Sequence, residues 1–521
     1  VELEYLVLLI LAIAYVPIYV WVWRSPRAAA LGLVKYGPCV MIKTKWGTGI
    51  MDRLSVYRRF WRFFGAFSIA ASFFLMGFIL LIILIGLTNL PVSLAASGIG
   101  VQYALAIPGL NPLIPLVYGW LGLVVAMVVH ELAHGMQTRA NDMRVDSTGV
   151  LYGVVPLGAF VEPNEADIAK STRRAKLDLY SAGISTNLIV AVGAFLVFAV
   201  LMLGNVSSSY GGDVGVYRIT EDSPALHAGI PGGAIIEYIE ADGSVYAYAY
   251  DSDYTVTYDH WSPGEAVTVS YIAEDGRHEA EMRWGLFIEA VMGGSPAAGD
   301  GEGGGLKART FILSITVEGR AEAPMYGYSE FLSFMQTTRP GDEAEVLCMT
   351  ADGSETFTRS LTLGDRGGIG YMGIETSTSG MRLVTPDMVL EVGRNPIYGA
   401  DTLTGAAVSM LSYIRGPFDG FSPIPQGAHW WYDTPLGDSF WTIATVLYWI
   451  FWLNMMLGVS NALPAFPFDG GFIFQGGLSS LLQRLGMRDE KRREDIAARV
   501  AGHMSIVMVV MLVVVIAAVL F

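Results

Sequence analysis

Two histidines four residues apart, His130 and His134, interrupt an apolar run, MVVHELAHGMQ, at residues 127–137. At that spacing in a helix both imidazoles lie on one face, where they can share one metal ion. Glu131 is offset by one residue. It can therefore sit beside such a metal without ligating it, and take a proton from a water polarised there. A charged residue in a membrane interior costs at least about 2.5 kcal/mol on insertion scales, so three ionisable groups in one span call for a function. The chain has seven histidines in 521 residues. A chance HExxH is then expected fewer than roughly 0.01 times per chain.

A catalytic zinc usually takes three protein ligands and keeps a fourth position for water. Neither 139–141 nor 147–150 completes a ligand pattern downstream of His134. The remaining candidate lies in SNALPAFPFDGGF, where Asp469 is the only acidic residue between Asp438 and Asp489. Gly470 and Gly471 follow it and allow close backbone approach. The alternative for Asp469 is an ordinary helix cap or turn residue.

These groups need apolar elements to position them, and the chain is rich in such elements. It is 53% hydrophobic and 16% charged, whereas soluble domains average about 25% charged. That composition predicts a polytopic α-helical membrane protein. Apolar stretches at 5–23, 63–90, 113–138, 179–203, 440–457 and 500–521 predict about six spans. A cleaved signal peptide is the competing reading of 5–23, but no small-residue cleavage site is evident. Lysine and arginine cluster after the first span, after the third and before the sixth, which predicts that these three loops are cytoplasmic. The spans carrying His130 and preceding Asp469 then both run inward, so their inner ends share one membrane level. Cys39 and Cys348 fall on opposite sides in this topology, so no disulfide is expected.

The net charge of −15 hides a split. Residues 205–438 hold 33 acidic and 12 basic residues, a net of −21, and the remainder is +6. So acidic a segment, predicted to be extracytoplasmic, disfavours nucleic acid or an anionic lipid surface as a partner. It reads as strands and hairpins. PGEAVTVSYIAEDG is matched in register by PGDEAEVLCMTADG, and SPALHAGIPGGAIIEYIEADG is echoed by SPAAGDGEGGGLKARTFILSITVEG. This is an internal duplication. Both copies resemble PDZ domains, which bind extended peptides by strand addition. A mere spacer or shield is the bland alternative. Residues 399–413 read as a helix along the outer surface. Trp430, Trp431 and Tyr432 read either as an interfacial belt or as linker packing.

HELAHG in one span, N-x-x-P-x-x-x-x-D-G in a later one, and PDZ-like copies between them together resemble the site-2 protease family of intramembrane zinc metalloproteases. The resemblance covers nearly the whole chain. It implies one Zn²⁺ per chain held by His130, His134 and Asp469, with Glu131 as catalytic base. AGISTN resembles the family's AG-P-x-x-N, which implies a role for Asn187 near the scissile carbonyl. GVVPLGAFVEP resembles the family's membrane-inserted β-hairpin, which implies substrate contacts at Gly158 and Phe160. Asn461 matches the residue that holds the substrate backbone. Pro464, lacking an N–H, leaves carbonyls free for a partner strand.

The expected organisation is a membrane part at 1–204, PDZ-like domains at 212–290 and 291–378, a linker at 379–438 with an amphipathic helix, and a second membrane part at 439–521. The expected activity is cleavage of the transmembrane segments of single-span proteins within the cell-membrane bilayer, with the active site toward the cytoplasm. Three rivals remain: an inactive scaffold presenting PDZ domains, a membrane HExxH protease with its third ligand elsewhere, and a transporter. The intact ligand set disfavours the first, the Asp469 motif the second, and the HExxH with its large insert the third.

Overall fold

The structure, a computed structural model, describes residues 2–88, 108, 111, 114–247, 261–299, 304–416, 424–437 and 439–520. It has two compact units. One comprises Val1–Pro91, Gly98–Phe198 and Thr442–Phe521, and the other Val92–Ser97 and Ala199–Trp441. The helices needed here are, in chain order, α1 (Glu2–Arg24), α2 (Arg58–Thr88), α3 (Leu116–Ala140), α4 (Arg173–Leu196), α5 (Tyr328–Gln336), α6 (Pro386–Arg394), α7 (Leu403–Arg415), α8 (Ser439–Asn461), α9 (Asp469–Arg484) and α10 (Glu490–Leu520).

Five helical segments among the described residues are long and apolar enough to cross a membrane: Arg58–Ile85, Leu116–Ala140, Arg173–Asn205, Ser439–Asn461 and Glu490–Val514. Six were expected. The stretch 5–23 does lie in α1, but the apolar part described there, Leu9–Arg24, falls short of that length. Residues 89–90, the predicted end of the second span, lie outside the described residues.

Small residues let these helices approach closely, as expected where lipid competes with side chains for contact. A Cβ on Gly122 of α3 would lie 2.7 Å from the Trp449 carbonyl oxygen of α8. One on Gly458 of α8 would lie 3.2 Å from the Ile184 carbonyl oxygen of α4. Gly476 of α9 leaves room for Leu177 of α4. Around these contacts Leu75, Met76, Leu177, Ile184, Ala462 and Ile473 form one buried cluster.

The first unit also contains a four-stranded antiparallel sheet in the order β1 (Leu33–Tyr36), β2 (Cys39–Thr44), β3 (Val145–Tyr152), β4 (Pro156–Pro163). The β3–β4 hairpin is the PLGAF segment. β1 and β2 were not expected, since they fall in a loop read only for its positive charge. Lys43 of β2 reaches across β3 to Glu162 of β4, with Nζ 2.8 Å from Oε2. The Tyr15 hydroxyl of α1 donates to the Pro38 carbonyl at 2.8 Å. β4 is an edge strand.

The second unit is built on a twelve-stranded sheet. Its strands include β5 (Val214–Ile219), β6 (Ile235–Ala241), β7 (Ala266–Ala273), β8 (Gly276–Arg283), β9 (Leu286–Val291), β10 (Thr310–Val317), β11 (Glu343–Thr350), β12 (Thr356–Thr362), β13 (Ile374–Thr378) and β14 (Met381–Val384). The continuous path is β8-β7-β6-β5-β14-β13-β9-β10-β11-β12. Two separate cores lie along it. Val214, Ile236, Val269, Trp284 and Met381 belong to the first, and Leu286, Ile288, Ile312, Val346 and Met372 to the second.

The first core holds residues up to Trp284 and again Met381, and the second runs from Leu286 to Met372. β14 follows the second core in the chain and pairs with β5 of the first. The two cores share one local arrangement. Ser223 packs where a Cβ on Gly380 would fall, and Ser295 where one on Gly373 would fall. Both glycines have positive φ, 86° and 82°. Part of the Gly-rich insertion, 300–303, lies outside the described residues.

The aromatic triplet is packing, not an exposed belt. Trp431 is fully buried over Gly215, with its Nε1 donating to the Gly233 carbonyl at 2.7 Å. Trp430 Nε1 donates to the same carbonyl, and the Tyr432 hydroxyl to the Pro386 carbonyl. Such N–H and O–H groups find internal partners when their rings are buried. Cys39 and Cys348 are both free and buried.

Glu330 on α5 carries a pH dependence. Burial of its carboxyl group, only partly offset by the backbone N–H groups of Gly327 and Glu330, pushes it up to about 7 from an ordinary 4.5. The folded chain therefore keeps this proton over a pH range where the unfolded chain has lost it. The stabilisation is complete below pH 4.5 and is lost as the pH rises to about 7. Hydrogen exchange at 328–336 in the full-length protein should speed up from pH 5 to 8 beyond the intrinsic chemical rate. In Glu330→Gln that excess should vanish, and protection at pH 8 should exceed the parent's.

Candidate metal centre

His130 and His134 lie on the buried face of α3, whose Gly135 and Ala133 are also buried. α3 starts after Pro115 and is capped by Asn141, followed by Asp142 in the left-handed region. Asp469 opens α9, where a carboxylate also meets the positive end of the helix dipole. The loop before it folds back so tightly that Cβ atoms on Gly470 and Gly471 would collide with the backbone of 462–466. The two glycines therefore let this loop pack directly against the first turn that carries Asp469.

The three side chains converge. His130 Nε2 lies 3.0 Å from His134 Nε2 and 3.1 Å from Asp469 Oδ2, and His134 Nε2 lies 3.2 Å from the same oxygen. These are the only described His, Cys, Asp or Glu residues to form such a group of three or more. His134 Nδ1 is 2.8 Å from the Leu179 carbonyl oxygen. A carbonyl only accepts, so Nδ1 carries the proton and Nε2 presents its lone pair to the centre. His130 Nδ1 is buried without a partner.

With both Nε2 atoms unprotonated, three electron-rich atoms this close repel one another unless a cation or a shared proton sits between them. A tetrahedral ion with bonds of about 2.0–2.1 Å holds its ligand atoms about 3.3 Å apart, near the observed spacing. Two imidazoles and one carboxylate thus fit a zinc-sized metal and leave one coordination position open.

Glu131 stands apart from this group. Its Oε2 accepts from the Val161 backbone N–H of β4 at 2.8 Å. The edge of the β3–β4 hairpin therefore faces the residue between the two histidines.

Gly183 of α4 had no individual role in the sequence reading. A Cβ there would lie 2.5–2.6 Å from the two imidazoles. The signal was present as the glycine of AGISTN. One turn along the same helix, Asn187 is fully buried and neither atom of its amide is partnered. Leaving such groups unsatisfied costs about 1–3 kcal/mol.

The remaining sites read from sequence are distributed around this framework. Asn461 donates to the Leu457 carbonyl one turn back, at 3.1 Å. Pro464 is buried in the loop between α8 and α9. Gly158 and Phe160 lie on β4, with the Phe160 ring packed over Gly149 and open space beside Gly158.

The fold and the centre define a membrane protein with a metal-type His-His-Asp cluster between its helices. Comparison with known proteins gives the family. Residues 118–512 match the model of peptidase family M50, and the chain belongs to that family of membrane metalloproteases. A curated relative, uncharacterized protein MJ0971 of Methanocaldococcus jannaschii, is 29% identical over 181 residues, 34% of this chain and 48% of that protein. The chain thus spans about half the length of the curated relative it matches.

Gly183→Ala tests the centre without touching a ligand. Its methyl group must displace both imidazoles, so bound metal per chain, measured by elemental analysis of purified protein, should fall well below the parent level. Gly193 of the same helix has open space beside it, and Gly193→Ala should keep the metal.

Proposed function

We propose that this chain is an intramembrane zinc endopeptidase of the site-2 protease type, cleaving transmembrane segments of single-span proteins. The observation that carries the reading is the convergence of His130, His134 and Asp469 within the helical unit, with Glu131 beside them but outside the ligand set. His130, His134 and Asp469 would hold one Zn²⁺ per chain. Bound there, zinc supplies positive charge that polarises a water and the scissile carbonyl.

The chain's own residues do the rest. Glu131 takes a proton from the attacking water and passes one to the leaving amine. Its hydrogen bond to the Val161 N–H aims the carboxylate toward the sheet edge. The His134–Leu179 contact fixes the imidazole's tautomer and rotation. Asn187 brings an unpartnered buried amide suited to the scissile carbonyl.

A peptide bond in a membrane helix is hydrogen-bonded and shielded, so its segment must unwind and find new backbone partners. β4 is an edge strand and can accept an added strand. We assign substrate contacts to Gly158 and Phe160 on that strand, and to Asn461 and Pro464 at the end of α8. The lysine and arginine clusters favour an active site toward the cytoplasm and an extracytoplasmic β unit. The two β copies act in this reading as PDZ-like filters of substrate, without catalytic groups of their own.

Purified variants test the division of labour. Glu131→Gln keeps shape and polarity but cannot accept the proton. Cleavage of a single-span substrate should fall by about 10²–10⁴-fold while zinc per chain stays near the parent value. Asp469→Ala should lose both zinc and activity. Undiminished cleavage by Glu131→Gln would end the mechanism, and unchanged zinc in Asp469→Ala would exclude it as a ligand.

A further inference from the structure

The β unit contains a cavity of ≈ 420 Å³ that none of the roles above uses. Its floor is the face of the β5–β14 strand pair that carries Tyr217 and Val384, and its walls are α6 and α7. Val384, Val389, Val392 and Val408 make much of the lining apolar. A volume of this size, largely apolar with a few polar groups, is what a small-molecule site requires.

Two arginines line it. Arg218 of β5 and Arg382 of β14 are direct cross-strand partners, so their side chains leave the same face of the sheet. Like charges placed opposite each other on neighbouring strands are destabilising. Local relief is slight. Arg218 is 3.7 Å from Glu289, and Arg382 has no carboxylate partner among the described residues. The surrounding segment, at a net −21, repels anions in general. A cationic pair beside an apolar hollow in such a segment selects a ligand with one anionic head and a hydrocarbon body.

We propose that this cavity binds one anionic phospholipid, its phosphate between Arg218 and Arg382 and a hydrocarbon chain against the valines. Two observations favour lipid over an extended peptide with a free carboxylate. The hollow opens on the face of the β5–β14 ladder, whose paired backbone groups point sideways into the sheet and not into the cavity, apart from a register shift between Arg382 and Leu383. A peptide chain entering it would leave its own amides unpaired, whereas a hydrocarbon chain has none. The wall helix α7 also exposes Leu403, Val408, Met410 and Leu411. Such an apolar face suits the headgroup region of a bilayer.

The test is native mass spectrometry of the full-length protein in neutral detergent, titrated separately with four probes. These are dioleoyl phosphatidylglycerol, dioleoyl phosphatidylcholine, glycerol phosphate, and a hexapeptide with a free C-terminal valine. The proposal expects one high-affinity phosphatidylglycerol per chain. Loss of charge-assisted bonds in R218Q/R382Q should weaken it about tenfold or more. Val392→Trp, which fills the cavity but keeps both arginines, should weaken it comparably. Phosphatidylcholine and glycerol phosphate should show no binding that depends on the arginines. Equal phosphatidylglycerol affinity in the parent and either variant would overturn the proposal. So would arginine-dependent binding of the peptide or of glycerol phosphate in place of the lipid.

Discussion

Two imidazole nitrogens and a carboxylate oxygen lie mutually 3.0–3.2 Å apart in a poorly solvated interior, and with both nitrogens unprotonated they repel one another until positive charge joins them. The rest of the membrane unit is arranged around that constraint. α3 supplies two ligands from one face, and α9 supplies the third at its first residue. α4 contributes no side-chain ligand. It instead gives a carbonyl that sets the His134 tautomer and a glycine that makes room for both rings.

The same economy extends outward from the centre. Gly122, Gly458 and Gly476 each occupy a point where two helices would otherwise be held apart. Gly470 and Gly471 let the loop after α8 turn back over the start of α9. Close backbone approach is how a helical unit in lipid places three ligands without large insertions of polar structure. The four-stranded sheet in this unit puts an edge strand against Glu131, so the residue proposed as the base and the proposed substrate platform share a hydrogen bond.

Side chains with chemistry of their own were legible from the sequence. His130, His134, Glu131 and Asp469 stand out because ionisable groups are rare in apolar runs. Backbone contributions were not legible, since the Leu179 carbonyl and the Val161 N–H have no residue-type signature. Gly183 was quoted within a motif, yet only the fold shows that its missing Cβ matters. Trp430, Trp431 and Tyr432 were ambiguous because aromatic residues near a span look alike whether they sit in a headgroup region or plug a β unit. The similar phrases in the β segment were readable in the sequence. The pairing of β14 with β5 was not, because it joins strands far apart in sequence.

The account rests on His130, His134 and Asp469 forming one first coordination sphere with Glu131 outside it. X-ray absorption at the zinc edge, on the purified full-length protein, measures that sphere directly. The account predicts a four-coordinate site with two imidazoles, the remaining ligands being oxygen, and zinc–nitrogen distances of about 2.0–2.1 Å. The spectrum should be unchanged in its imidazole count by Glu131→Gln. An all-oxygen, six-coordinate shell without imidazole scattering would contradict it, as would a spectrum that keeps both imidazoles in His134→Ala.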